Sequence, residues 1–192
     1  IVVASQPLPA LAHFATVRAG YEQVLPLAQR TDPWAVLEAV VVELDRDDDG
    51  TVLILEFRYT FRGCADQNQR RIRRLHGFDI VLDPEAGTLE VTAAEREFEQ
   101  AVDETEWAEL TASSPLVPLT LGPWLWDLDQ VLPAALAVLD ARAGTERAML
   151  DSASLYGNVD GAPFWQVVAW RDEDDPPLHV MLDARSGAIL DE

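Results

Sequence analysis

The chain has 192 residues, of which 34 are acidic and only 14 basic, all of them arginine, so its formal net charge is −20. This charge repels nucleic acid phosphates and anionic lipid surfaces, and neither is expected as a partner. The apolar fraction of 48% is that of a folded protein. A single cysteine, Cys64, excludes both an intrachain disulfide and a cysteine-based zinc cluster.

The sequence contains no apolar run approaching the about 20 residues of a membrane-spanning helix, so no transmembrane segment is predicted. Its first residues, Ile1 to Pro9, lack the basic leader of a secretory signal. A leader removed upstream would place the protein outside the cytoplasm, and otherwise a cytoplasmic location is expected. These patterns leave the oligomeric state open.

The first 93 residues have the pattern of one helix followed by strands. Apolar residues at three-and-four spacing predict the helix, and they are Val17, Tyr21, Val24, Leu25 and Ala28. Alternation of apolar and polar residues predicts strands at 40–45, 52–61 and 78–83. Asp47–Gly50 is typical of a turn, because Asp bonds to turn backbone and Gly accepts positive φ. The first two strands are therefore expected to form a hairpin.

Residues 94–127 are predicted as an acidic helical linker. The segment Glu95–Leu110 is rich in carboxylates, and its few apolar residues lie at helical spacing. Serine, proline and glycine then mark irregular chain. The linker separates an N-terminal unit, residues 1–93, from a C-terminal unit, residues 128–192.

The C-terminal unit repeats the order of elements. Its apolar residues again recur at helical spacing from Leu128 to Leu139, and Asp127 or Asp129 is expected to cap this helix. Strands are predicted at 149–156, 164–170 and 178–183. The predicted fold class is α+β, with two tandem units that each consist of a helix and a three-stranded antiparallel meander.

Two short repeats support this interpretation. Gln23–Pro26 recurs as Gln130–Pro133, and Leu82–Leu89 recurs as Leu182–Ile189 with Leu, Asp and Gly at matching positions. Each match is weak alone, but both occur in the same order. An internal duplication is therefore predicted.

The C-terminal unit resembles a PepSY domain, a module of metallopeptidase propeptides and of many bacterial proteins. The resembling segments are an Ala/Leu-rich helix, three strands and a closing Asp-x-x-x-Gly-x-Ile turn, at Ala134–Ala141, Met149–Tyr156, Phe164–Trp170 and Val180–Leu190. The N-terminal unit is similar but carries a longer insertion, Arg62–Gly77. The resemblance implies a cystatin-like helix-plus-meander unit that binds or inhibits, is often located outside the cytoplasm, and has no catalytic residues.

The sharpest formal motif is Asp45-x-Asp47-x-Asp49-Gly50-x5-Glu56, which fits the EF-hand calcium loop. An EF-hand needs a helix on each side, whereas both flanks here have strand patterns. A strand would also carry Glu56 too far from the turn to complete the coordination. An acidic hairpin is therefore favoured, and weak calcium binding by Asp45, Asp47 and Asp49 is the alternative. No other cofactor is expected.

One basic cluster is present, formed by Arg70, Arg71, Arg73 and Arg74. It is a candidate site for an anion or an acidic partner. Alternatively, these arginines pair with carboxylates of the same chain or protect a sheet edge.

Three tryptophans are candidate partner-binding residues, namely Trp124, Trp126 and Trp170. Exposed tryptophans often anchor protein interfaces. The alternative is that they pack within the protein.

No set of residues predicts catalysis, since the histidines are widely separated and no phosphate loop is present. The leading hypothesis is a non-enzymatic peptide- or protein-binding module, resembling a protease inhibitor, whose partner is unknown. A small hydrolase or ligand-binding enzyme, with carboxylates of Glu95–Glu109 between the units, is the first alternative. A calcium-responsive acidic module is the second.

Overall fold

The computed structural model describes residues 2–7, 16–32, 35–64, 75–98, 125–144, 147–157, 162–172 and 174–190. In these ranges the chain forms eight strands and two helices. In chain order they are β1 (Val2–Pro7), α1 (Val17–Thr31), β2 (Val36–Arg46), β3 (Val52–Cys64), β4 (Leu75–Asp83), β5 (Thr88–Phe98), α2 (Leu128–Ala143), β6 (Met149–Gly157), β7 (Pro163–Trp170) and β8 (Leu178–Asp183).

All eight strands belong to one antiparallel sheet with the order β1-β5-β4-β3-β2-β6-β7-β8. Strands β2 and β6 come from the two predicted units and pair from Ala39↔Tyr156 to Glu43↔Ser152. The predicted fold class, two tandem helix-plus-meander units joined by a helical linker, is therefore wrong. Alternation shows which residues face the core, but it does not show which strand edges meet. Pairing β2 with β6 covers two edges that separate units would leave exposed.

Both helices cover the same face of the sheet. Helix α1 packs against β3 and β4, and α2 packs against β7 and β8. The largest side chains beneath them, including Trp165, Tyr59, Phe57 and Phe61, are completely buried. One continuous apolar core therefore lies between the helices and the sheet. No helix in the described ranges has the length and apolar character needed to cross a membrane.

The acidic linker begins as a strand and not as a helix. Glu95–Phe98 are the last residues of β5, whose ladder with β4 extends to Leu75↔Phe98. The helical prediction is wrong for these residues, because Leu89 and Val91 are buried in β5 and the strand continues its backbone ladder with β4 beyond them. Residues 99–124 lie outside the described ranges.

The two copies of the Asp-x-x-x-Gly repeat form the same turn. The Asp83 carboxylate accepts a hydrogen bond from the amide of Ala86 at 2.7 Å, and Asp183 accepts one from Ser186 at 2.7 Å. The glycines that close the turns have φ of +66° at Gly87 and +71° at Gly187. Leu82 pairs with Leu89, as Leu182 does with Ile189. The repeated Asp and Gly are thus residues that this turn requires, and both segments form the turn in the same register.

The other repeat does not occupy equivalent positions. Gln23 is well inside α1, which begins at Val17, whereas Gln130 lies in the first turn of α2. There the Gln130 side chain accepts a hydrogen bond from the Asp127 amide and completes a capping box. The same residue types therefore have different structural roles in the two helices.

Candidate binding surface

The face of the sheet opposite the helices, here called the open face, carries a row of half-buried side chains. On β7 every second residue is buried against the helices, and the residues between them point away, namely Phe164, Gln166, Val168 and Trp170. The register of β7 follows from Trp165, Val167 and Ala169, which are buried in the core. The predicted site residue Trp170 thus lies on the open face, at the end of β7.

Neighbouring strands extend this row with further apolar groups. Tyr156 of β6 lies beside Phe164 with ring centroids 5.8 Å apart. Met149 of β6 is paired with Trp170, and Met181 of β8 with Gln166. The open face above β6–β8 is therefore an amphipathic surface built around aromatic and methionine side chains.

The most exposed apolar side chains of the open face cluster near the β2–β3 turn. Leu53, Leu55 and Met149 are 42%, 43% and 44% exposed. Val52 and Ile54 pack against the core, so Leu53 and Leu55 point away from it. Leu55 is the extra residue of a bulge in β3, opposite Glu43 and Leu44 of β2, and Glu56 therefore lies on the open face as well. We call Leu53, Leu55, Met149 and Trp170 the turn-end patch.

Carboxylates surround these apolar groups. Glu43 and Glu56 face each other across β2 and β3, a repulsive arrangement that Arg58 relieves. Its Nη2 lies 2.7 Å from Glu56 Oε1 and 3.5 Å from Glu43 Oε1. Arg58 is therefore already engaged within the protein.

The acidic motif forms the β2–β3 hairpin, which confirms the predicted turn. Asp47 Oδ1 accepts hydrogen bonds from the amides of Gly50 and Thr51, and Asp49 Oδ1 accepts from the amide and hydroxyl of Thr51. The hydrogen bonds from Thr51, followed by one with Asp47, lower the pKa of Asp49 to about 2. These carboxylate oxygens are occupied in stabilising the turn.

The candidate calcium ligands Asp45, Asp47 and Asp49 do not form a coordination shell. Asp45 Oδ1 accepts from the amide of Arg46 at 2.7 Å, and Glu56 lies along β3. Within the described ranges, no group of three or more histidine, cysteine, aspartate or glutamate side chains is arranged to hold a metal ion.

Trp126 packs against the core and does not lie on the open face. Its amide and that of Leu125 donate to the carbonyl of Ala184, and its own carbonyl accepts from Trp165 Nε1 at 3.0 Å. Its indole ring covers Gly187 so closely that a Cβ there would lie 2.3 Å from Cε2. Trp126 therefore fixes the turn after β8 to the start of α2. The other predicted binding residues, Trp124, Arg70, Arg71, Arg73 and Arg74, lie outside the described ranges.

Sequence reasoning found Asp127 as a helix cap but missed its second partner. The carboxylate accepts from Leu128 of α2 at 2.7 Å, and also from the amides of Val17 and Arg18 at 2.9 and 3.1 Å. Tyr59 donates to the Val17 carbonyl at 2.8 Å, and burial together with the Asp127 charge raises the pKa of this phenol well above its usual value. Two helix N-termini thus share one buried carboxylate, whose charge suits their dipoles.

A second connection joins β2 to α2. Arg46 makes a bidentate contact with Asp140, at 2.7 Å from Nη1 to Oδ1 and 3.0 Å from Nη2 to Oδ2. Asp140 also accepts from the amide of Ala148 at 3.1 Å. No spacing in the sequence indicates this pair, because its members are brought together only by the β2–β6 pairing. The pair holds the Asp140 carboxylate of α2 against β2, where Arg46 and the Ala148 amide bind it.

This ion pair predicts a dependence of stability on acid. The hydrogen bond from Arg46 is the main cause that lowers the pKa of Asp140. The stabilisation is therefore fully present above the unfolded-state pKa of about 4, and is lost as the pH falls below it and through the lowered pKa of the folded state. Asp140→Asn should lack the stabilisation from this ion pair, which is about 1 kcal/mol for a partly exposed pair. Urea unfolding at stepped pH measures it: the two proteins should converge in acid, and a constant difference would contradict the assignment.

The outer edge of β8 is largely covered. Residues after the turn bond to it, through Ala188 accepting from Asp183 and Leu190 donating to Met181, both at 2.8 Å. Arg142 of α2 donates to the carbonyl of His179 at 2.7 Å. Little free backbone is left for an added strand, so the open face is the better candidate for binding.

Comparison with known proteins gives no identification. No family model, no curated protein and no solved structure matches this chain.

Proposed function

We propose that this protein is a non-enzymatic module that binds a peptide or protein partner on the open face of its sheet. The observation that carries the proposal is the row from Phe164 to Trp170, extended by Tyr156 and Met149 on β6. Aromatic and methionine side chains are enriched at protein interfaces. When helices cover one face of a sheet and the opposite face carries apolar side chains, the opposite face is suited to docking.

The position of the charged groups supports binding over catalysis. Asp127, Asp140, Glu43 and Glu56 are each bound by backbone amides or by arginine. A hydrolytic pair needs one carboxyl group free to donate a proton and a second to activate water or attack. These four groups act as structural ligands instead. The resemblance to PepSY modules, which bind or inhibit, favours the same function.

The test uses a partner captured by the immobilised full chain, identified, purified and then titrated by calorimetry. Trp170→Ala should weaken that binding about tenfold, because tryptophans at interface centres contribute at least ~1.4 kcal/mol. Trp170→Phe should restore most of the affinity, since it keeps an aromatic surface.

Leu125→Ala is the matched control. Leu125 is 62% exposed but lies before α2, away from the open face. Its substitution should leave binding unchanged, and thermal unfolding should show both variants folded. If Trp170→Ala binds the purified partner as tightly as the unmodified protein, the open face is not the docking site.

A further inference from the structure

We infer that the turn-end patch docks a cationic amphipathic segment, one in which arginine or lysine alternates with aliphatic residues. This inference rests on the proposed function and specifies the chemistry of its partner. The apolar part comes from Leu53, Leu55 and Met149, three of the six large hydrophobic side chains that are exposed in the described ranges.

The pairing registers place these side chains together. Leu53 is paired with Asp45 across β2 and β3, and Met149 with Trp170 across β6 and β7. The β2–β6 ladder runs to Glu43↔Ser152, so Met149, three residues before Ser152, is level with the end of β2. Leu53, Met149 and Trp170 therefore lie in one line across β3, β2, β6 and β7, with Asp45 of β2 in it. Leu55 lies two residues further along β3.

The charges along this line are negative. Asp45 is exposed, and Asp151 is exposed beside Ser152, whose hydroxyl donates to it at 2.8 Å. The nearest described arginines are already engaged, Arg147 with the Asp48 carbonyl at 3.0 Å and Arg171 with Asp175 at 2.9 Å. An incoming cation would thus meet carboxylates together with the indole face of Trp170, which attracts cations.

Other occupants fit these charges less well. A second copy of the chain would bring another net charge of −20 to the same acidic surface. Anionic segments would be repelled in the same way. Aliphatic residues of a cationic segment would cover Leu53 and Met149, while its charges lie over Asp45 and Asp151.

The probe is a short synthetic peptide that alternates arginine and leucine, titrated into the full chain, with a glutamate–leucine peptide as its counterpart. Only the cationic peptide should bind. Leu53→Ser combined with Met149→Ser should weaken binding about tenfold, and Asp45→Asn combined with Asp151→Asn about fivefold, with a weaker salt dependence.

The decisive control removes the same charge elsewhere. Glu22→Gln with Asp129→Asn changes two exposed carboxylates on the helices and should leave the affinity nearly unchanged. If both pairs of substitutions weaken binding equally, the peptide responds to the net charge and the inference fails. A purified partner that needs Trp170 but ignores Asp45 and Asp151 would also overturn the inference and leave the proposed function intact. If neither peptide nor partner depends on Trp170, both fail.

Discussion

Gly187→Ala is expected to lower the free energy of unfolding by about 3 kcal/mol, because a side chain there meets two independent obstacles. The backbone φ of +71° is one that residues with a Cβ rarely adopt. The Cβ would also lie 2.3 Å from Trp126 Cε2, so the indole must move out of its position over the turn. Denaturant unfolding of the variant and the unmodified protein measures the difference.

The chain supplies its own matched control in the equivalent turn. Gly87 has nearly the same φ, +66°, but no described atom lies within 4 Å of a Cβ built there. Gly87→Ala should therefore lose only the backbone contribution, about 1 kcal/mol. Trp126→Ala in the Gly187→Ala background should cost less than Trp126→Ala alone, because the overlap is gone. Equal losses for the two glycine variants would show that the indole contact is not what restricts Gly187.

These two glycines show how far the sequence alone leads. The Asp-x-x-x-Gly pattern is local, since an aspartate that accepts turn amides and a glycine with positive φ are set by adjacent residues. Both turns could therefore be predicted. Trp126 lies far from Gly187 in the chain, and only the folded core brings them together. The sequence shows six tryptophans but not which of them has this partner.

The same distinction between local and long-range determinants accounts for the wrong fold class. Period-two alternation correctly predicts β2, β3, β4, β6, β7 and β8, because each strand reports its own buried face. Whether β6 pairs with β2 or ends a separate sheet depends on edges that leave no periodic signal. Glu95 was predicted as the start of a helix, whereas β5 extends to Phe98. A run of carboxylates has no apolar periodicity that would separate a strand from a helix.

The candidate binding surface also has one part that the sequence could predict and one part that it could not. Strand parity is sufficient to place Trp170 away from Trp165 and Val167, and the sequence could predict that. Simple alternation from Phe57 would turn Leu53 and Leu55 towards the core, whereas the bulge opposite Glu43/Leu44, where β3 has one extra residue, reverses the parity and leaves both leucines exposed. A single extra residue in one strand thus creates half of the turn-end patch.

Asp127→Ala is expected to be among the most damaging single substitutions, lowering the free energy of unfolding by about 4 kcal/mol. It removes the acceptor of the Val17, Arg18 and Leu128 amides, in a place where only 7% of the residue is exposed. Water therefore cannot readily replace the lost bonds. Since domains are stable by only about 5–15 kcal/mol, a large share of the stability would be lost.

Asp127→Asn separates the charge from the geometry. One amide oxygen can still accept from Val17 and Leu128, whereas the amino group replaces the oxygen that accepts from Arg18. An intermediate loss of about 2 kcal/mol follows. Asp129→Asn, an exposed acid in the first turn of α2, should cost no more than about 0.5 kcal/mol. Hydrogen exchange in Asp127→Ala should accelerate at the N-termini of both helices. If only α2 responds, Asp127 is an ordinary cap and does not hold the two halves of the core together.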